Sequence, residues 1–285
     1  MNARRRFRTS RLAGTPRGAT TRVPGSRRCS EPMTAPFARA FRAIGNLGRR
    51  DLLPGLRAEV YARGEEASPW ALWSLVLFGE KSAVSLLWKV AEEAGPVAAH
   101  ACALAACASE ASECATRLLA MVRQGEWHTA LAGAEARGDP ACVPWVLDTI
   151  ETQPEAARRA AWVYATLTGA CLTPPLATRM PTNNPTDAAV AHRIADPYED
   201  LPAPQPDALR EHWRRVGSNF WAGERWLGGR RIEPVSLSEH LRTGAQPWRA
   251  HAAIELARTS ASGGVFPVRS PGFLQAARLA SPAVD

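Results

Sequence analysis

Cysteine and histidine are the residue types in this chain that could ligate a metal ion or supply a nucleophile and a base. The six cysteines show no C-x-x-C pair, and four of them lie in Ala-rich stretches: Cys102, Cys107, Cys114 and Cys142. His100 with Cys102, Cys107 or Cys114 is the best metal candidate, but the six histidines lie in different segments and no ligand spacing typical of zinc is present. We therefore predict buried, reduced thiols and no metal site.

Aromatic and arginine side chains gather in the C-terminal third, and these types are enriched at binding hot spots. The candidate binding or structural residues are Trp213, Phe220, Gly223, Arg225, Trp226, Gly228, Gln246, Arg249 and Glu255. They could present a surface to a partner, or they could pack on one another, with Arg225 over an indole ring. Glu255 is a candidate ion-pair partner for Arg225.

Sequence motifs typical of enzymes are missing from this chain. It has no G-x-S-x-G segment, no P-loop and no dinucleotide-binding motif, and Gly228-Gly229 has the pattern of an ordinary turn. No cysteine is matched by spacing to a base and an orienting group. The sequence therefore predicts no enzyme, no catalytic residue and no cofactor.

The elements that position these residues are short helices separated by Gly and Pro. The predicted helices of the first part span 37–47, 51–62, 69–78, 81–93, 96–107, 112–123, 126–136, 141–151 and 154–167. The breaks between most of them are two to five residues long, which favours antiparallel packing of successive helices.

A degenerate repeat runs through this region. The segments SLLWKV (85–90), RLLAMV (117–122) and WVLDTI (145–150) each place an apolar cluster in a first helix, which a short break and a small-residue helix then follow. One such pair cannot bury its own apolar face, so neighbouring pairs must stack. We predict an all-α fold with a HEAT-like α-solenoid over residues 33–172; an irregular helical bundle is the alternative.

Composition changes after Gly169. Residues 173–206 contain eight prolines, so we predict a linker or long surface loop with a short helix at 187–194. A C-terminal helical region follows over 207–285, in which we predict an aromatic and Gly-rich loop at 219–231 and four helices, at 207–216, 236–243, 246–258 and 271–278. The helices at 236–243 and 246–258 form a further pair.

The net charge of +8 belongs to residues 1–32, which hold nine Arg and one Glu, while the rest of the chain is neutral. This stretch is predicted to be a disordered tail, read either as an upstream extension of a start at Met33 or as a nucleic-acid-binding arm. No apolar run reaches the length of a membrane span, the most apolar being Trp70–Phe78, so no membrane partner is predicted.

Several motifs between residues 198 and 276 resemble a bacterial HEAT-repeat family of unknown activity. They are Asp200-Leu201-Pro202, Trp213, the stretch from Phe220 to Gly229, the stretch from Leu241 to Arg249, and Ala252 to Ala257, with Arg269, Pro271 and Gln275 in the tail. Two departures occur: the family's tryptophan pair is His212-Trp213 here, and Gly263-Gly264 interrupts the closing loop.

The resemblance implies HEAT-like repeats, a cytoplasmic location and, since members are linked with type VI secretion loci, an accessory or adaptor role. It implies no catalytic residue. Because the family keeps the aromatic and arginine arrangement beside a buried helix pair, we favour the structural use of these residues. The expected function is protein binding as a scaffold or adaptor; the alternative is nucleic-acid binding through the Arg-rich tail.

Overall fold

Residues 35–93, 95–178, 198, 201–260 and 264–280 are described by the computed structural model of the chain, and within them the fold is all-α apart from one hairpin. The first nine helices are α1 Ala35–Asn46, α2 Leu53–Arg63, α3 Pro69–Leu77, α4 Ser82–Glu92, α5 Ala98–Ala108, α6 Ala111–Arg123, α7 Trp127–Arg137, α8 Val143–Thr152 and α9 Ala157–Thr168. The later elements are α10 Pro206–Val216, β1 Trp226–Leu227, β2 Arg230–Arg231, α11 Pro234–Thr243, α12 Gln246–Thr259 and α13 Gly272–Ala280.

Every helix that the sequence predicts within the described residues is present, and Gly or Pro residues mark several of the helix ends. α7, for example, ends at Gly138, which adopts the left-handed conformation, and α12 carries Pro247 in its first turn. The predicted tail at 1–32 and the predicted helix at 187–194 lie outside the described residues.

Two kinds of helix alternate along the first part. α4 buries only Ala83, Leu87, Trp88 and Ala91, a spacing that places them on one face. α3 in contrast buries every residue from Ala71 to Leu77, and α5, α7 and α9 are also buried on most sides. A helix buried all round must be covered on more than one face, so these helices lie inside the fold.

The buried helices contact one another in order, α3 on α5, α5 on α7 and α7 on α9, and the mostly exposed α1 packs on α3. We call these five helices the inner row; α4, α6 and α8 pack on α5, α7 and α9 respectively. Small residues let α5 and α7 approach closely. A Cβ atom on Gly133 of α7 would lie 2.7 Å from the Cys102 Sγ atom of α5, so the Ala-rich composition sets the distance between the helices.

A two-stranded antiparallel hairpin occupies part of the predicted loop at 219–231. Trp226 pairs with Arg231 and Leu227 with Arg230 across a turn formed by Gly228 and Gly229. Both glycines have positive φ angles, as the tight turns that suit hairpins require. Leu227 of the hairpin, Leu237 and Leu241 of α11, and Ala252 and Ala253 of α12 form a second, smaller core.

The ends of the Pro-rich segment lie side by side. The Thr178 N–H donates to the Ala203 carbonyl at 2.8 Å, and the Gln205 N–H donates to the Leu176 carbonyl at 2.9 Å. This pairing places α10 next to the inner row, where the Tyr164 hydroxyl lies 2.5 Å from His212 Nδ1. The helical regions before and after the segment belong to one compact unit over residues 33–285.

Trp88 gives a direct test of this core, because its side chain is fully buried and its indole N–H donates to the Ser109 hydroxyl at 2.8 Å. We expect Trp88→Phe to lower the free energy of unfolding by about 2 kcal/mol, since it removes one buried hydrogen bond and leaves a small void. Urea unfolding followed by circular dichroism measures this. Trp221→Phe, at a side chain that is 67% exposed, is the control and should change stability by less than about 0.5 kcal/mol.

Candidate functional site

The described parts of residues 223–265 contact the C-terminal ends of three helices of the inner row. Their backbone N–H groups donate to carbonyls there: Trp226 to Gly138 at 2.8 Å, Gly228 to Thr166 at 2.6 Å, and Val265 to Asn46 at 2.8 Å. The last carbonyls of a helix have no partner within the helix, so they are free to accept these bonds. These main-chain bonds attach the C-terminal region to the ends of α7, α9 and α1.

Arginine side chains bind other carbonyls at the same ends. Arg50 donates to the Phe78 carbonyl after α3 at 3.2 Å, and Arg137 donates to the Ser109 carbonyl after α5 at 2.8 Å. Arg225 reaches the Arg137 and Ala136 carbonyls of α7 at 3.0 and 3.2 Å. Positive charge at a helix C-terminus is favourable because the carbonyl ends carry partial negative charge.

Arg225 also forms a buried, two-bonded ion pair with Glu255 of α12. Its Nη1 and Nη2 atoms donate to Glu255 Oε2 at 2.9 Å and Oε1 at 2.6 Å, and Arg258 adds a third bond to Oε2 at 3.0 Å. The Glu255 side chain is only 3% exposed. The predicted pairing of Arg225 with Glu255 is confirmed, and the arginines that lie over an aromatic ring in the described part of the chain are Arg42, Arg50, Arg117 and Arg159 rather than Arg225.

These contacts determine the ionisation of Glu255. Burial alone would raise the pKa of its carboxyl group, but the hydrogen bonds and charge of Arg225, together with the charge of Arg258, lower that pKa to about 2. The carboxylate is therefore ionised at neutral pH in spite of its burial. The same pair holds α12 to the end of α7.

The nearby cysteines are buried and have free thiols. Cys107 donates to the Ala136 carbonyl at 3.3 Å, and burial raises the pKa of its thiol far above the ordinary value. Burial likewise raises the pKa of Cys102 and Cys142, and that of Cys114 to about 11. A thiol is a nucleophile or a ligand only when deprotonated, so these four groups are packing residues at neutral pH.

A cleft of about 110 Å³ lies beside the ion pair, between the inner row and α12. Its polar lining includes His100, Glu135 and His251. Glu135 accepts a hydrogen bond from the Trp162 indole at 3.0 Å and lies 3.9 Å from His251 Nε2. Burial, with the charges of Arg42 and Arg159, lowers the pKa of His100. In the part of the chain that the structure describes, no group of three or more His, Cys, Asp and Glu residues could hold a metal ion.

The predicted aromatic residues come together in one cluster between α9, α10 and the hairpin. Ring centroids are 6.3 Å apart for Tyr164 and Trp213, 5.7 Å for Trp213 and Phe220, and 4.6 Å for Phe220 and Trp226. All are at least partly covered by the main core. The cluster attaches the C-terminal region to the inner row.

The other candidate residues also make internal contacts. The Gly223 N–H donates to Asp139 Oδ1 at 3.0 Å, Gln246 donates to the Val268 carbonyl at 2.7 Å, and Arg249 donates to the Leu241 carbonyl at 2.8 Å. Gly228 supplies the turn of the hairpin. Gly223 thus helps to attach the C-terminal region, whereas the bonds of Gln246 and Arg249 lie within that region, and Gly223 and Gln246 remain exposed.

An open groove that sequence reasoning missed lies at the α1 end of the row. It has a volume of about 440 Å³ and lies between α1, α12 and residues 264–269. Three arginines line it, Arg42, Arg269 and Arg278, together with apolar side chains that include Trp73 and Phe266. We call it the arginine groove. Its sequence signal is the lack of any Asp or Glu in residues 35–50 and 264–280, which together contain six arginines.

No family model, no curated protein and no solved structure matches the chain. Among the described helices none is long and apolar enough to cross a membrane.

Proposed function

We propose that this chain is a non-enzymatic, protein-binding adaptor built on a HEAT-like helical solenoid. The order of the contacts supports the solenoid, because each inner helix packs on the next inner helix, and α3, α5, α7 and α9 each pack on the helix that precedes them in the chain. The resemblance of the C-terminal motifs supports a role beside a bacterial secretion system.

The observation that carries the proposal is the exposure of large apolar side chains on the two helices that border the arginine groove. Phe37 of α1 is 61% exposed, and Phe273 and Leu274 of α13 are 73% and 47% exposed. Leu47, directly after α1, is 67% exposed and lines the groove. Large exposed apolar side chains on elements that border one groove favour a protein interface.

We expect that the full chain, used as bait in a lysate of the native cell, captures a protein that also binds directly when both are purified. Phe37→Glu combined with Phe273→Glu should weaken that binding about tenfold or more, because each variant removes an apolar contact from the interface. Isothermal titration calorimetry with the purified pair measures the change.

Tyr61→Glu is the matched control, since Tyr61 of α2 is 94% exposed and does not line the groove. It should leave the affinity unchanged. If the double variant binds as tightly as the original chain, the exposed side chains are not the interface and the proposal fails.

A further inference from the structure

Among the described residues, no acidic side chain compensates the positive charge of the arginine groove. No carboxylate of the described residues lines it, and Arg269 and Arg278 form no ion pair with a described residue. Exposed arginines elsewhere are often paired, as Arg57 is with Glu80 and Arg230 with Glu239. The local charge is notable because the chain beyond residue 32 is neutral as a whole.

One of the three guanidinium groups is held in place. The Arg42 Cζ atom lies 4.4 Å from the centre of the Trp70 ring, which lines the neighbouring cleft, so the indole restricts the Arg42 side chain at the boundary between the cleft and the groove. A guanidinium fixed in this way loses little conformational entropy when it binds an anion. Arg269 and Arg278 remain exposed and can adjust to the ligand.

The rest of the groove is apolar. Trp73, Ile254, Val265 and Phe266 line it, and Trp73 is 7% exposed. A volume of about 440 Å³ falls within the range of sites that enclose a drug-sized ligand or a few side chains. A nucleic acid would need a basic stripe that follows the phosphates, whereas this groove places three arginines around apolar walls. The combination favours a ligand that carries both carboxylates and apolar side chains.

We propose that the arginine groove binds an acidic segment of a partner protein in which Asp or Glu residues alternate with apolar residues. The carboxylates bind Arg42, Arg269 and Arg278, and the apolar side chains cover Trp73 and Phe266. This inference rests on the proposed adaptor function and adds the chemistry of the partner. Charge-assisted hydrogen bonds to arginine are the strongest such contacts available at an exposed groove.

The test uses the full chain and a short fluorescein-labelled peptide of alternating Asp and Leu. Fluorescence anisotropy should show binding that weakens as the salt concentration rises. A peptide of alternating Asn and Leu lacks the charge, and one of alternating Asp and Ser lacks the apolar side chains. Each of these two control peptides should bind at least about tenfold more weakly than the Asp-Leu peptide, because each lacks one of the two kinds of contact.

Arg269→Glu combined with Arg278→Glu should weaken binding of the Asp-Leu peptide about tenfold or more. Arg123→Glu, at an exposed arginine at the end of α6 that does not line the groove, is the matched control and should bind normally. Circular dichroism should show that the double variant and Arg123→Glu both have the helical content of the original chain.

Equal binding of the three peptides, or equal binding by the groove variant and the original chain, would overturn the inference. Double-stranded DNA and phosphatidylserine vesicles are tested in parallel, and tighter, Arg269-dependent binding of either would overturn it in favour of that ligand. If partner capture depends on Phe37 and Phe273 while the groove variant binds the peptide normally, the adaptor function stands and only this inference fails.

Discussion

Glu255→Gln is expected to lower the free energy of unfolding by about 3–5 kcal/mol, because it leaves the buried Arg225 guanidinium and its neighbour Arg258 without a counter-charge. The Glu255 and Arg225 side chains are 3% and 15% exposed, so water cannot replace the lost carboxylate oxygen. Urea unfolding at neutral pH, followed by circular dichroism at a helical wavelength, measures the difference.

The exposed ion pair of Arg230 with Glu239 provides the control. Both of its side chains are about half exposed, so Glu239→Gln should cost no more than about 1 kcal/mol. Arg225→Met combined with Glu255→Leu should be less destabilising than Glu255→Gln, because it removes both charges together. Equal stability of Glu255→Gln and Glu239→Gln would show that the buried pair does not hold α12 in place.

The same carboxylate predicts an acid dependence of stability. Its pKa is about 2 in the folded chain and about 4.5 when unperturbed, so the unfolded state binds the proton more readily. The contribution of Glu255 is therefore fully present above about pH 4.5 and is lost as the pH falls towards 2. Glu255→Gln should remove this component, and the stability of the variant should fall less steeply than that of the original chain over the same pH interval.

Gly138→Ala is the second change with a large expected effect, about 3 kcal/mol or more of lost stability. Gly138 follows α7 with a φ angle of 66°, which costs free energy for any residue with a Cβ atom. An added Cβ would also overlap the Trp226 carbonyl oxygen, so the hairpin backbone would have to move. That movement would lengthen the bond from the Trp226 N–H to the Gly138 carbonyl, now 2.8 Å.

Gly125→Ala separates the effect of the positive φ angle from the effect of the overlap with the hairpin. Gly125 has a φ angle of 86°, but an added Cβ there would meet no atom within 4 Å. We expect a loss of about 1–2 kcal/mol from the backbone conformation alone. Thermal unfolding of both variants measures the difference, and similar melting temperatures would mean that contact between Gly138 and the hairpin contributes nothing to stability.

The helices could be predicted from the sequence because their signals are local. Amphipathic stretches such as α4, Ala-rich stretches such as α5, and the Gly and Pro residues between them each act within a few residues. The hairpin had a local signal too, in Gly228-Gly229 between Trp226-Leu227 and Arg230-Arg231, but strands of two residues carry too little alternation to be distinguished from a loop.

The sites were harder to predict, since they depend on contacts between distant parts of the chain. Glu255 could be named from the sequence as a candidate partner of Arg225, yet the carbonyls of Ala136 and Arg137 give no sequence signal. The arginine groove combines Arg42 with Arg269 and Arg278, which lie more than 200 residues after Arg42 in the sequence, and the bond from the Val265 N–H to the Asn46 carbonyl brings residues near Arg269 to α1.

The attachment of residues 223–265 to both ends of the inner row has a consequence for how that row could lengthen. Gly228 is bound to the Thr166 carbonyl of α9, and Val265 is bound to the Asn46 carbonyl at the end of α1. One more helix inserted in the row between them would move these two carbonyls about 8–10 Å further apart, the usual distance between packed helix axes. An inserted helix pair would therefore break one of these two bonds unless residues 228–265 lengthened in the same step.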